Sequence, residues 1–159
     1  MNITAVNNHK KTPAFCANYR ILWADRHNMH NFFKHLVLPH MKLNAGDTVE
    51  ITGINQTKAA IREMENLQAQ GGKFDAVVTG NNFYPEREGG ESIIHSAESL
   101  GYPQDRLVIL SAETEKDMPF MEEFPRVTFI KKGAGIEGEP NCFQKLAEHL
   151  SRMFNRKFN

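Results

Sequence analysis

Three neighbouring stretches decide the fold: Phe74-Asp-Ala-Val-Val-Thr79, then Glu91 to Leu100, then Arg106-Leu-Val-Ile-Leu110. The first and third are short, β-branched apolar runs of the kind that suits a strand buried on both faces. Between them Ile93, Ile94 and Ala97 fall on one face of a helix, and Gly101 stands where such a helix ends. A strand, a helix and a second strand in this order make a crossover unit, whose two strands lie parallel with the helix laid across the sheet.

The same alternation continues in both directions. Toward the N-terminus, Ile21-Leu22-Trp23-Ala24 reads as a first strand. Asn28 is then the cap of a helix with Met29, Phe32, Phe33, Leu36 and Val37 inward, stopped by Pro39. Thr48 to Gly53 is a second strand, and Asn55 caps a helix with Ala60, Met64 and Leu67 inward that ends at Gly71-Gly72. Toward the C-terminus, Ser111 to Arg126 carries Pro119 and Pro125, which leave room for only a shortened or distorted helix. Val127-Thr-Phe-Ile130 is a fifth strand, and Pro140 opens a last helix with Phe143, Leu146, Ala147, Leu150 and Phe154 in register. The expected architecture is an α/β domain with a five-stranded parallel sheet covered by helices on both faces, spanning 19–159 behind a flexible extension over 1–18.

Bulk properties narrow the function. Lysine plus arginine equals aspartate plus glutamate at 19 each, so no net field favours nucleic acid or an anionic membrane, and neither is an expected partner. Cys16 and Cys142 lie near opposite ends and form no Cys-x-x-Cys pattern, and the first residues lack an apolar segment. The cytoplasm is therefore the expected compartment.

In a parallel sheet, ligands gather beyond the carboxyl ends of the strands. Here those ends hold Asp25-Arg26-His27, Gly80-Asn81-Asn82, Ser111-Ala-Glu113-Thr114 and Lys131-Lys132. This order of residues resembles the receiver domain of two-component response regulators, over roughly Tyr19 to Met153. The resemblance implies a flavodoxin-like sheet of strand order 2-1-3-4-5. In that family a pair of acids after the first strand binds magnesium, and an aspartate after the third accepts a phosphoryl group. A Ser/Thr after the fourth strand senses it, and a lysine after the fifth contacts it. Asp25 resembles the first acid, with Arg26 in the place of the second. Ser111-Ala112 resembles the Ser/Thr-Ala step, and Lys131 resembles the lysine, with Lys132 where a proline usually follows. Asn81, Pro85 and Gly89 reproduce the spacing of acceptor, proline and glycine, whereas counting along the strand from Asp75 puts Gly80 at the acceptor; neither is a carboxylate. Thr128, beside Phe129, stands where the family often has an aromatic reporter.

The resemblance thus implies a degenerate receiver pocket of Asp25, Arg26, Asn81, Ser111 and Lys131. An Arg26–Asp25 or a Lys131–Asp25 pair is expected to fill it in place of a metal. No cofactor and no enzymatic activity are expected. Other motifs are weaker. Gly133-Ala-Gly135-Ile-Glu-Gly138 satisfies G-x-G-x-x-G, but the 21 residues after Gly138 leave no second strand for a dinucleotide unit. His27, His30, His35 and His40 lack the further ligands that zinc requires. Ser111 has no nucleophile elbow around it.

Met118, Phe120, Met121 and Phe124 form an apolar cluster between the two prolines. Core filling is the plain reading. The alternative is an interaction surface for a signalling partner or a homodimer, in line with the family's use of the neighbouring face. The expected function is a signalling domain that acts by protein–protein contact without phosphorylation, its output passing through a partner. The second expectation is a small-molecule or anion-binding module at the carboxyl edge, formed by Asp25, Asn81, Ser111, Lys131 and the 133–138 loop.

Overall fold

The structure is a computed structural model that describes residues 16–27, 29–83, 89–133 and 137–155. Five strands, β1 (Asn18–Ala24), β2 (Thr48–Ile54), β3 (Ala76–Thr79), β4 (Leu107–Ser111) and β5 (Thr128–Lys131), form one sheet in the order β2-β1-β3-β4-β5. Every pairing is parallel. This is the architecture expected from the alternating pattern. β1 starts inside the expected lead-in, because Asn18 pairs with Thr48 and the Ala17 N–H donates to Asp47 Oδ1 at 2.8 Å. Residues 1–15 of that lead-in lie outside the described residues, as do Asn28, Pro85, Glu88, part of the 133–138 loop, Arg156 and Lys157.

The side chains of the central strands alternate between two apolar layers. Leu22, Ala24, Val77, Leu107 and Ile109 face one layer, with α2 (Thr57–Ala69) and α3 (Gly89–Ser99) packed over them through Ala60, Met64, Leu67, Ile93, Ile94 and Ala97. Ile21, Trp23, Val78, Leu110 and Ile130 face the other, covered by α1 (Met29–Phe32) and α4 (Cys142–Asn155). Each large side chain fully removed from water contributes about 1.5–3 kcal/mol, so this double burial holds the helices to the sheet. Gly71 and Gly101 adopt φ of +77° where α2 and α3 end, the left-handed conformation that the sequence predicts for them.

α1 departs from the regular helix expected over Met29–Val37. It continues as a π turn over Phe33–Val37 and a 3-10 turn over Leu38–His40. The wider π turn keeps Met29, Phe33 and Val37 buried while it rotates Leu36 outward, to 38% exposed. α4 is capped by Asn141, whose Oδ1 accepts the N–H groups of Phe143 and Gln144, so Pro140 precedes the helix and does not open it.

Between β4 and β5 the shortened helix is two 3-10 turns, Glu115–Asp117 and Pro119–Glu123. Met118, Phe120, Met121 and Phe124 point into the first apolar layer, at 1%, 5%, 9% and 2% exposed. The reading of these four as an interaction surface is therefore corrected. A 3-10 turn places i and i+3 side chains on one face, so Met118, Met121 and Phe124 together cover the sheet that a longer helix would have covered.

Candidate functional site

Side-chain alternation builds the pocket at the carboxyl edge. Trp23, Val78, Leu110 and Ile130 share the α1/α4 face. Two residues further along each strand, the same face carries Asp25, Gly80, Ala112 and Lys132. All four line one cleft of about 260 Å³, together with Arg26, His27, Asn81, Asn82, Ser111, Glu113 and an apolar wall of Trp23, Met29, Phe32, Leu110 and Phe143. Phe32 and Phe143 stack with ring centroids 5.9 Å apart, and His27 meets Phe32 edge-on.

Asp25 is buried, and Lys132 Nζ forms an ion pair and hydrogen bond with its Oδ2. Lys131 is the lysine expected here, but it lies opposite Ser111 in the β4–β5 pairing, on the other parity, and is exposed. Arg26 does not take the carboxylate either: it is exposed, and its Nε donates to His27 Nε2 at 3.3 Å. Gly80 leaves room for the Asp25 carboxyl, since a Cβ there would stand 3.1 Å from Oδ2.

Asn81 is buried beyond the end of β3. Its Nδ2 donates to Glu113 Oε2, and Asn82 Nδ2 donates to Glu113 Oε1 at 2.6 Å. The Glu113 N–H in turn donates to Ser111 Oγ at 3.2 Å. Asn81 also anchors α3, because its carbonyl accepts the Gly90 N–H at 2.8 Å. The helix start packs so closely that a Cβ on Gly90 would stand against Gly80 O and 2.8 Å from Asn81 Cα.

Of the five residues named from the sequence, Asp25, Arg26, Asn81 and Ser111 line this one cleft, and Lys131 does not. Sequence reasoning missed Lys132, Glu113, Trp23, Phe32 and Phe143 as pocket residues. Lys132 was legible in principle, by counting parity from Trp23 and Ile130. Glu113 was not, since its role depends on a loop conformation. The donor set does not suit magnesium, which prefers several hard oxygens in an octahedron. The ammonium of Lys132 holds Asp25, and Glu113 is taken by two amides. Among the described residues no group of three His, Cys, Asp or Glu side chains is placed to hold a metal ion, and no helix is long and apolar enough to cross a membrane.

The fold is similar to that of solved receiver domains. A response regulator of Cytophaga hutchinsonii superposes with a TM-score of 0.59 at 19% identity, covering 89% of this chain and 96% of that one. A response regulator receiver protein of Sinorhizobium medicae gives 0.58 at 20% identity, over 87% and 95%. A receiver domain protein of Clostridium thermocellum gives 0.59 at 16% identity, over 87% and 96%. No family model and no curated protein matches the sequence. At such identities the likeness is one of fold.

Proposed function

We propose that this chain is a receiver-like signalling domain that works by protein–protein contact and takes no phosphoryl group at the position after β3. One observation carries the reading: the groups that follow β3 are Gly80, which has no side chain, and Asn81, whose amide is held by Glu113. An amide oxygen is not a nucleophile for phosphoryl transfer, and the carboxylate nearest to Gly80 is neutralised by Lys132. The pocket is thus held in one arrangement by internal pairs. Output then depends on whether and where the domain meets its partner, in a reducing, cytoplasmic setting. The chain over 19–159 acts as one domain in this reading, with no catalytic role.

Incubation with acetyl phosphate and magnesium, followed by intact mass measurement, tests it. The expected mass is unchanged, and a stoichiometric, acid-stable or base-labile phosphoryl adduct within the pocket overturns the reading.

A second reading, a ligand-binding module, is favoured by the cleft itself. Trp23, Met29, Phe32, Leu110, Ala112 and Phe143 give it an aromatic and aliphatic wall, and Arg26, Asn82, Ser111 and Glu113 bring polar groups to the same space. Ligand sites commonly combine such an apolar wall with a few convergent polar groups. Thermal-shift screening against nucleotides, sugar phosphates and small organic acids tests this, and a flat response across the panel overturns it.

A further inference from the structure

We propose that the cleft at the carboxyl edge binds a single free aromatic amino acid as its zwitterion. The inference rests on the ligand-binding reading above and names the chemistry of the ligand.

Two charges of the cleft cancel and two do not. Asp25 and Lys132 neutralise each other as an ion pair. Glu113 is half-buried, and its oxygens accept from the neutral amides of Asn81 and Asn82, with no cation paired to it among the described residues. Arg26 has its Nε on His27 and no carboxylate partner among the described residues. Both groups line the same cleft, and no ion pair joins them. An amide hydrogen bond leaves the charge of a carboxylate in place, and a partly desolvated charge favours an opposite one beside it. A simple anion would satisfy Arg26 and be repelled by Glu113; a simple cation would satisfy Glu113 and be repelled by Arg26. An occupant that carries both charges answers both, with its carboxylate on the Arg26 fork and its ammonium on Glu113. Arg26 follows β1 and Glu113 follows β4, two strand spacings or about 10 Å apart at the backbone, a gap that an α-amino acid with a side chain at each end can bridge.

The apolar wall selects the side chain. Phe32 and Phe143 are half-buried and stacked with 21° between ring planes, and the buried Trp23, Met29 and Leu110 line the same space. A flat ring extends such a stack, whereas glycine gains nothing from it. At about 260 Å³ the cleft is smaller than the roughly 300 Å³ at which pockets for drug-sized ligands begin, so it suits one amino acid rather than a peptide.

L-Phenylalanine joins the thermal-shift panel, and calorimetric titration of the full chain then compares it with three relatives. Its amide keeps only the ammonium, its N-acetyl derivative keeps only the carboxylate, and glycine lacks the ring. Phenylalanine is expected to bind, each one-charge derivative about tenfold more weakly, and glycine not at all over the same range. Arg26→Gln, an exposed change, is expected to weaken phenylalanine about tenfold and leave the amide no weaker. Glu113→Gln is expected to weaken phenylalanine about tenfold and leave the N-acetyl derivative no weaker. A damaged cleft would instead weaken all three ring compounds alike. Such uniform weakening by either variant, equal binding of either derivative, or glycine binding as tightly as phenylalanine overturns the inference while the ligand-binding reading survives. If phenylalanine does not bind but another compound of the panel stabilises the protein, the inference also falls alone. If no compound of the panel does so, phenylalanine included, both fall together.

Discussion

Lys132 and Asp25 are joined across the whole working edge of the sheet: β5 supplies the ammonium, β1 the carboxylate, and β3 and β4 lie between them. The pair is largely buried, with the side chains 29% and 3% exposed. Removing one member of such a pair strands the other. Lys132→Met is expected to destabilise the fold by about 2–4 kcal/mol, somewhat below the cost of breaking a fully buried pair because the lysine is partly solvated. Lys131→Met should stay within about 0.5 kcal/mol. Urea melts of the two variants, with Asp25→Asn/Lys132→Met as the closing corner of a cycle, check both figures; equal effects at 131 and 132 would contradict the parity argument.

Gly90→Ala separates packing from propensity. Alanine in place of glycine favours an isolated helix by about 1 kcal/mol. Here the added methyl meets Gly80 O and Asn81 Cα, so a net loss of about 1–3 kcal/mol is expected. A variant more stable than the parent in a thermal melt would show that α3 can move away from β3.

Phe124→Ala is expected to cost about 3–5 kcal/mol, as for other large side chains removed from a core. Its ring is 2% exposed and lies edge-on to His95 and Phe120. Light scattering of the parent protein is not expected to depend on this residue. A variant that keeps its stability but changes its oligomeric state would restore the surface reading that the burial overturns.

Alkaline titration offers a further check. Burial raises Tyr19 above its usual value of 10.0, with help from the charges of Asp47 and Asp75. Burial also raises Tyr102, partly offset by the hydrogen bond from the Phe74 N–H at 3.2 Å. A raised phenol favours the neutral form in the folded state. The stability it supports is present below the unfolded value and is lost as pH rises through the folded one. Absorbance at the phenolate band should show two of the three tyrosines titrating late, together with a fall in denaturation midpoint above about pH 10.

How much was legible in the sequence follows from which forces act locally. The strands and α2, α3 and α4 were readable because Ile93, Ile94 and Ala97, or Leu146, Ala147 and Leu150, repeat with the helical period and are all buried. α1 was misread at Leu36, because a π turn leaves no mark in the hydrophobic pattern beyond one residue out of phase. In the pocket, Asp25 and Ser111 were readable from their place at strand ends. Lys131 was chosen over Lys132 by its likeness to the family's lysine, although the two-residue period from Ile130 puts Lys132 on the pocket face. Glu113 and the aromatic pair Phe32 and Phe143 come from different loops and helices, and only the folded chain places them side by side.

The π turn at Phe33–Val37 also says something about how this helix tolerates changes of length. A π turn holds about one residue more than the α-helical turn it replaces. Deleting Leu36, whose side chain is among those turned outward, removes that surplus and lets the segment close as an ordinary α-helix. A deletion in α2 or α4 has no surplus to draw on and would rotate every following side chain by about 100° off its face. Of the helices that cover this sheet, the first therefore carries its own slack, a place where the chain can lose a residue and keep both Phe33 and Val37 beneath it.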